Sequence, residues 1–181
     1  MAIGVVGLGN VLMGDDAFGP WVVATLLAEY EFPADVVVED LGTPGLDLTP
    51  YVTDLEALIL VDTVRSDATP GTLRLYRRDD LLRHAPGARL SPHDPGVKEA
   101  LLTAEFAGRG PRDVLLVGAV PEQTAMGVHF GAAVRGAVPL AVAAVLRELE
   151  RLGRSAVRRT KPRAADVWWD PAACEASAAL A

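Results

Sequence analysis

With 181 residues, half of them hydrophobic but only 6% aromatic, the chain can bury one sizeable core made mainly of Val, Leu and Ala. A net charge of −7 argues against nucleic acid as a general partner, and the single cysteine, Cys174, excludes an intrachain disulfide framework or a cysteine-based zinc site. No apolar run approaches the roughly 18 residues of a membrane span, and the N-terminus has no basic signal-peptide region, so the expected location is the cytoplasm.

Residues 3–6 read as a short buried strand. They lead into Gly7-Leu8-Gly9-Asn10-Val11-Leu12-Met13-Gly14-Asp15-Asp16, and residues 20–30 follow with apolar side chains at helical spacing. This strand-to-helix turn fails the dinucleotide fingerprint, because Leu12 stands where the third glycine belongs. Asp15 and Asp16 would repel a phosphate at the helix start and attract a cation. Either acid can cap the helix, but two adjacent acids cannot both do so, which leaves one for other work. Asn10, the only asparagine, is at its plainest a left-handed turn residue.

A second strand is expected over 35–40, ending at Gly42-Thr43-Pro44-Gly45, and a short helical segment over 46–52. Residues 57–61 are apolar throughout, as a central parallel strand buried on both faces requires, and run straight into Asp62. Residues 72–76 alternate like a half-exposed strand, and 77–92 read as a polar, broken loop. A helix follows over 94–107, then a buried strand over 114–120 and a long helix over 134–152 with Leu140, Val142, Val145, Leu146 and Leu149 available to the core. Six basic residues and no acid lie in 151–163, which reads as a solvated terminal segment in preference to a docking patch. The Trp168-Trp169 pair and the Ala-rich end carry no catalytic signal.

Strands alternating with helices predict an α/β fold: a three-layer sandwich with a mostly parallel central sheet and helices on both faces. One domain covers 1–153, and 154–181 is expected to be a partly disordered tail. Ligands of such sheets bind at the carboxyl ends of the strands, beside strand one. In the common order 2-1-3, Asp16 after strand one and Asp62 at the end of strand three meet at that edge. His93, just before the helix over 94–107, can face the same edge. Two carboxylates and an imidazole form a mixed oxygen and nitrogen set that suits a borderline divalent ion and leaves coordination positions open.

These motifs carry a resemblance. Gly7-Leu8-Gly9-Asn10-x-Leu12-x-x-Asp15-Asp16, Asp40-x-Gly42-Thr43-x-Gly45, Val61-Asp62, Ser91-Pro92-His93 and Gly118-x-x-Pro121-Glu122 occur in an order and spacing similar to the hydrogenase maturation endopeptidases. That family trims the C-terminus of the NiFe-hydrogenase large subunit. The resemblance spans roughly residues 3–150 and implies a metal-dependent endopeptidase of narrow specificity. Its metal ligands match Asp16, Asp62 and His93, and Asp40 matches a further polar position, a candidate general base or water-positioning group. The implied partner is the large-subunit precursor, with nickel presented by that substrate and no tightly bound metal of the protease's own; a monomer is expected. Ala17 replaces a glycine usual in the family, and the segment after Arg154 is particular to this chain. Two rivals are weaker: a nucleotide-binding oxidoreductase using Glu39 or Asp40 on a ribose, and a non-catalytic metalloprotein chaperone on the same fold.

Overall fold

The computed structural model describes residues 1–83 and 94–170. In chain order it contains β1 (Ala2–Gly7), a 3-10 turn (Gly14–Ala17), α1 (Phe18–Glu29), β2 (Tyr30–Glu31) and β3 (Val36–Asp40). A second 3-10 turn (Gly45–Leu48) runs into α2 (Thr49–Val52), followed by β4 (Leu55–Thr63), β5 (Leu73–Arg77) and α3 (Arg78–Arg83). The remainder comprises α4 (Asp94–Phe106), β6 (Asp113–Ala119), α5 (Ala132–Arg151) and β7 (Val157–Arg158).

The main sheet has the order β3-β1-β4-β6-β5. All its pairings are parallel except β5 against β6. β4 is the centre, and its side chains divide by the two-residue period of a strand. Ala57, Ile59 and Val61 join one core with Phe18, Trp21, Val22 and Leu26 of α1 and Val134, Val138, Val145 and Leu149 of α5. Leu58 and Leu60 join a second core with Val52 of α2, Leu81 of α3 and Val97 and Leu101 of α4. Helices therefore cover both faces, and the expected three-layer sandwich is the observed one. The expected adjacency of the first and third long strands also holds, since β1 lies between β3 and β4.

Three local expectations differ. Residues 78–83 form α3, where the sequence read as loop; Asp79 and Asp80 occupy its first turn and Arg83 its last, matching the helix dipole. Leu140 of α5 is 59% exposed, because the buried stripe runs through Val134, Val138, Ala141, Val145 and Leu149 and passes it by.

The third concerns the segment after α5. Its basic residues are not simply solvated. Arg154 reaches Asp35 at 2.6 Å, Arg159 reaches Glu31 at 2.7 Å and Arg158 reaches Glu29 at 3.3 Å. β7 pairs antiparallel with β2, and Val167 and Trp169 join the core under Trp21. Trp21 stacks on Phe130 at 4.5 Å and meets Trp169 edge-on at 6.4 Å. Residues 154–170 thus form a strap across α1. Cys174 and the Ala-rich end lie outside the described residues.

One buried charge ties the far end of the sheet. Glu148 of α5, 5% exposed, accepts hydrogen bonds from Arg77 at 2.5 and 2.9 Å and from Arg151 at 2.8 Å. Desolvation raises its pKa, but the two guanidinium groups outweigh that and hold it below the ordinary glutamate value. A depressed carboxylate stabilises the fold above its unfolded pKa and loses that contribution as pH falls through the folded one. Because both arginines are about half exposed, Glu148→Gln should cost about 2 kcal/mol at neutral pH. In urea titrations the gap from the parent should close as the pH drops below the ordinary glutamate range; a pH-independent gap would mean the charge plays no part.

Candidate active site

The turn after β1 is pressed onto the strand ends. A Cβ added at Gly9, whose φ is +145°, would lie 1.9 Å from the Asp16 carbonyl oxygen. One added at Gly19 would lie 2.2 Å from the Leu8 carbonyl oxygen and 2.5 Å from that of Val61. Only glycine permits this approach. Asn10 is not left-handed: among described non-glycine residues only Asp54 has a positive φ. Its side-chain oxygen instead accepts the Leu12 N–H at 3.0 Å, while its own N–H donates to Asp16 Oδ2 at 2.8 Å.

The cap positions of the two helices that begin here are Met13 and Ala17, so neither acid of the pair stands at a cap. Asp15 is fully buried and accepts three backbone N–H groups, from Glu122 at 2.8 Å, Gln123 at 3.1 Å and Gly131 at 2.7 Å. It fastens the loop after β6 against the first turn. Backbone bonds from Gly14 to Gly127 and from Gly127 to Leu12, each 2.8 Å, complete the seam. A buried carboxylate is tolerable with such charge-assisted donors around it.

Asp16 does the other work. It is 5% exposed, and its Oδ1 accepts the Thr63 hydroxyl at 3.0 Å. Asp62, fully buried near the end of β4, accepts the Thr63 N–H on its own Oδ1 at 2.7 Å. Both sequence-selected aspartates are therefore attached to one residue, at the carboxyl edge of the central strand. Thr63 was not among the sequence candidates; a hydroxyl side chain directly after the strand-end Asp62 was the available signal.

Asp40 ends β3 on the other side of β1. Its Oδ1 accepts the Gly42 N–H at 2.9 Å, and the Gly9 N–H donates to the Gly42 carbonyl at 2.9 Å. Although the residue as a whole is exposed, desolvation of its carboxyl raises the pKa, with the Gly42 N–H working against the shift. A cleft joins Asp40 to Asn10, Thr43, Trp168 and Trp169, so the strap that read as catalytically silent lines a hollow next to this acid. His93, the third ligand candidate, lies outside the described residues. Among the described residues no three His, Cys, Asp or Glu side chains form a metal-holding group. Asp16 and Asp62 by themselves are an oxygen pair suited to a hard or borderline divalent ion with positions left open.

The division of labour between the adjacent acids can be tested. Asp15→Ala strands three backbone N–H groups, whose bonds are buried at Gly131 and partly buried at Glu122 and Gln123, and should cost about 2 kcal/mol by chemical denaturation. Amide exchange at Glu122, Gln123 and Gly131 should accelerate well beyond that at the centre of β4; uniform acceleration would show that Asp15 does not hold this loop in particular.

The chain is similar to several known proteins. Residues 20–148 match the sequence profile of HycI, hydrogenase maturation protease. The hydrogenase expression/formation protein HupD of Rhodobacter capsulatus is 37% identical over 150 residues, covering 82% of this chain and 71% of that protein. The hydrogenase 2 maturation protease of Escherichia coli is 31% identical over 160 residues, 88% of this chain and 97% of that one. The solved structure of the hydrogenase maturating endopeptidase HybD from Escherichia coli superposes with a TM-score of 0.81 at 30% identity, covering 88% of this chain and 99% of its own. With the profile spanning residues 20–148 and the fold shared over 88% of the chain, this chain belongs to the hydrogenase maturation protease family and is an endopeptidase of hydrogenase maturation.

Proposed function

We propose that this endopeptidase removes the C-terminal extension of the nickel-loaded NiFe-hydrogenase large-subunit precursor, recognising it through Asp16, Asp62 and His93. The observation that carries the metal assignment is the attachment of the Asp16 and Asp62 carboxylates to Thr63 at one strand edge. His93 enters from the sequence motif. In this reading the nickel belongs to the substrate, and the three side chains fill positions that it leaves open. Contact with the ion would register the scissile peptide against the cleft beside Asp40, so that affinity is gained only when metal insertion is complete. Leu12 and Met126, 52% and 89% exposed on the seam beside the turn, offer apolar contact to a docked subunit. The enzyme acts as a monomer in the cytoplasm; among the described residues no helix is long and apolar enough to cross a membrane.

Asp16 and Asp62 are held in place by neutral N–H and O–H donors as well as by the fold. Asp40 has a different environment: a partly desolvated carboxylate of raised pKa is a better proton acceptor than an ordinary aspartate. In this reading Asp40 orients or deprotonates the attacking water, and the substrate-borne metal would polarise the reacting centre.

Mass spectrometry of precursor incubated with the protease tests the reading. Nickel-loaded precursor should lose its extension and nickel-free precursor should stay intact. Asp16→Ala, Asp62→Ala and His93→Ala should each lower processing by at least about 100-fold with the circular dichroism spectrum unchanged. Prolonged chelation of the protease alone should leave its activity on loaded precursor unchanged; activity regained only on adding zinc would assign the metal to the enzyme. The acid limb of the pH–rate profile should lie above the ordinary aspartate range, following the raised Asp40 pKa, and should vanish along with most activity in Asp40→Asn. An unaltered acid limb in that variant would remove Asp40 from proton transfer.

A further inference from the structure

The two tryptophans of the strap have no part in the chemistry above, yet they border the hollow next to Asp40. That cleft holds ≈ 250 Å³ between the first turn, the β3 loop and Trp168–Trp169. A second hollow of ≈ 340 Å³, bounded by the same tryptophans and by Asp40, continues along α1 past Pro20 and Leu27. The two hollows have Asp40, Trp168 and Trp169 in common as walls and are taken together as one channel beside Asp40, of which the smaller part reaches Asn10, whose N–H donates to Asp16.

The two tryptophans differ in their work. Trp169 is 7% exposed, packed edge-on against Trp21, and its indole N–H is buried without a hydrogen-bond partner among the described residues. Trp168 is 65% exposed and stands edge-on to Trp169 at 5.7 Å. A large exposed ring on a rigid neighbour is an unusual use of apolar surface, and such rings are frequent anchors of recognition. The channel is also lined by Asp40, whose carboxylate has one oxygen engaged by the Gly42 N–H. A polypeptide segment suits this lining, since its backbone N–H groups can donate to the Asp40 carboxylate while it packs against the exposed Trp168 ring.

We propose that this channel binds the C-terminal extension of the precursor in extended form, with Trp168 as the wall on which the peptide packs. The strap over 154–170 is then a specificity element that reads the peptide while the carboxylate pair reads the metal. This rests on the endopeptidase reading and adds to it a second recognition site, independent of nickel. Held between the tryptophan wall and Asp40, the peptide enters the site in one register.

Steady-state processing and direct binding of nickel-loaded precursor test this together. Trp168→Ala should raise KM about tenfold and leave kcat within about twofold, and should weaken binding of the precursor by a similar factor. Trp168→Phe, which keeps an aromatic wall, should recover most of the loss. Phe106→Ala, which deletes a fully exposed ring outside the channel, should change neither quantity. Melting curves check that Trp168→Ala remains folded. Parent-like KM and binding in the folded Trp168→Ala variant would overturn the channel and leave the peptidase reading standing. Weakened binding in that variant, with no cleavage of this precursor by the parent, would support the channel and reject the proposed removal of the extension.

Discussion

The architecture of the site depends on an absence of side-chain atoms between the first turn and the strand ends. Gly9 and Gly19 each have a backbone oxygen within 2.2 Å of where a Cβ would stand. This lets the 3-10 turn lie directly on β1 and β4 and start α1 with no intervening layer. Asp16 consequently meets Thr63, 47 residues away in sequence. Were the turn lifted by the width of a methyl group, that hydrogen bond would be out of reach, and the pairing of Asp16 with the end of β4 would go with it.

Chemistry then separates two residues of identical type. Asp15 turns toward the loop after β6 and spends its lone pairs on three amides, which makes it a structural anion. Asp16 receives an amide and a hydroxyl at the strand edge beside Asp62. The loop carrying Pro121-Glu122 owes its position to the first acid, and the strand edge beside Asp62 its shape to the second.

The strap adds a layer that the central fold does not require. Its arginine pairs with Glu29, Glu31 and Asp35 are surface contacts of the kind that contribute little individually. The stronger tether is apolar, with Val167 and Trp169 completing the core over Trp21 and Phe130. The charges select where the strap lies, and burial keeps it there. Its course places aromatic surface beside Asp40, so an element remote in sequence from every motif borders the groove next to the site.

The amino-acid sequence by itself determined the layered α/β class, because the fully apolar run at 57–61 and the alternating strand and helix periods admit few other solutions. It also determined the family, through five short motifs in one order, and selected Asp16, Asp62, His93 and Asp40 as candidates. Local periodicity passed over α3, whose six residues carry little amphipathic signal, and misjudged Leu140 because a helical period does not say where its buried stripe is centred. Only the tertiary structure decided which acid of the Asp15–Asp16 pair is structural, that Thr63 joins the two carboxylates, and that the basic tail is a packed strap. Each of these is a contact between segments distant along the chain, 116 residues in the case of Asp15 with Gly131, and no local pattern encodes the partner of a hydrogen bond that the fold alone brings within reach.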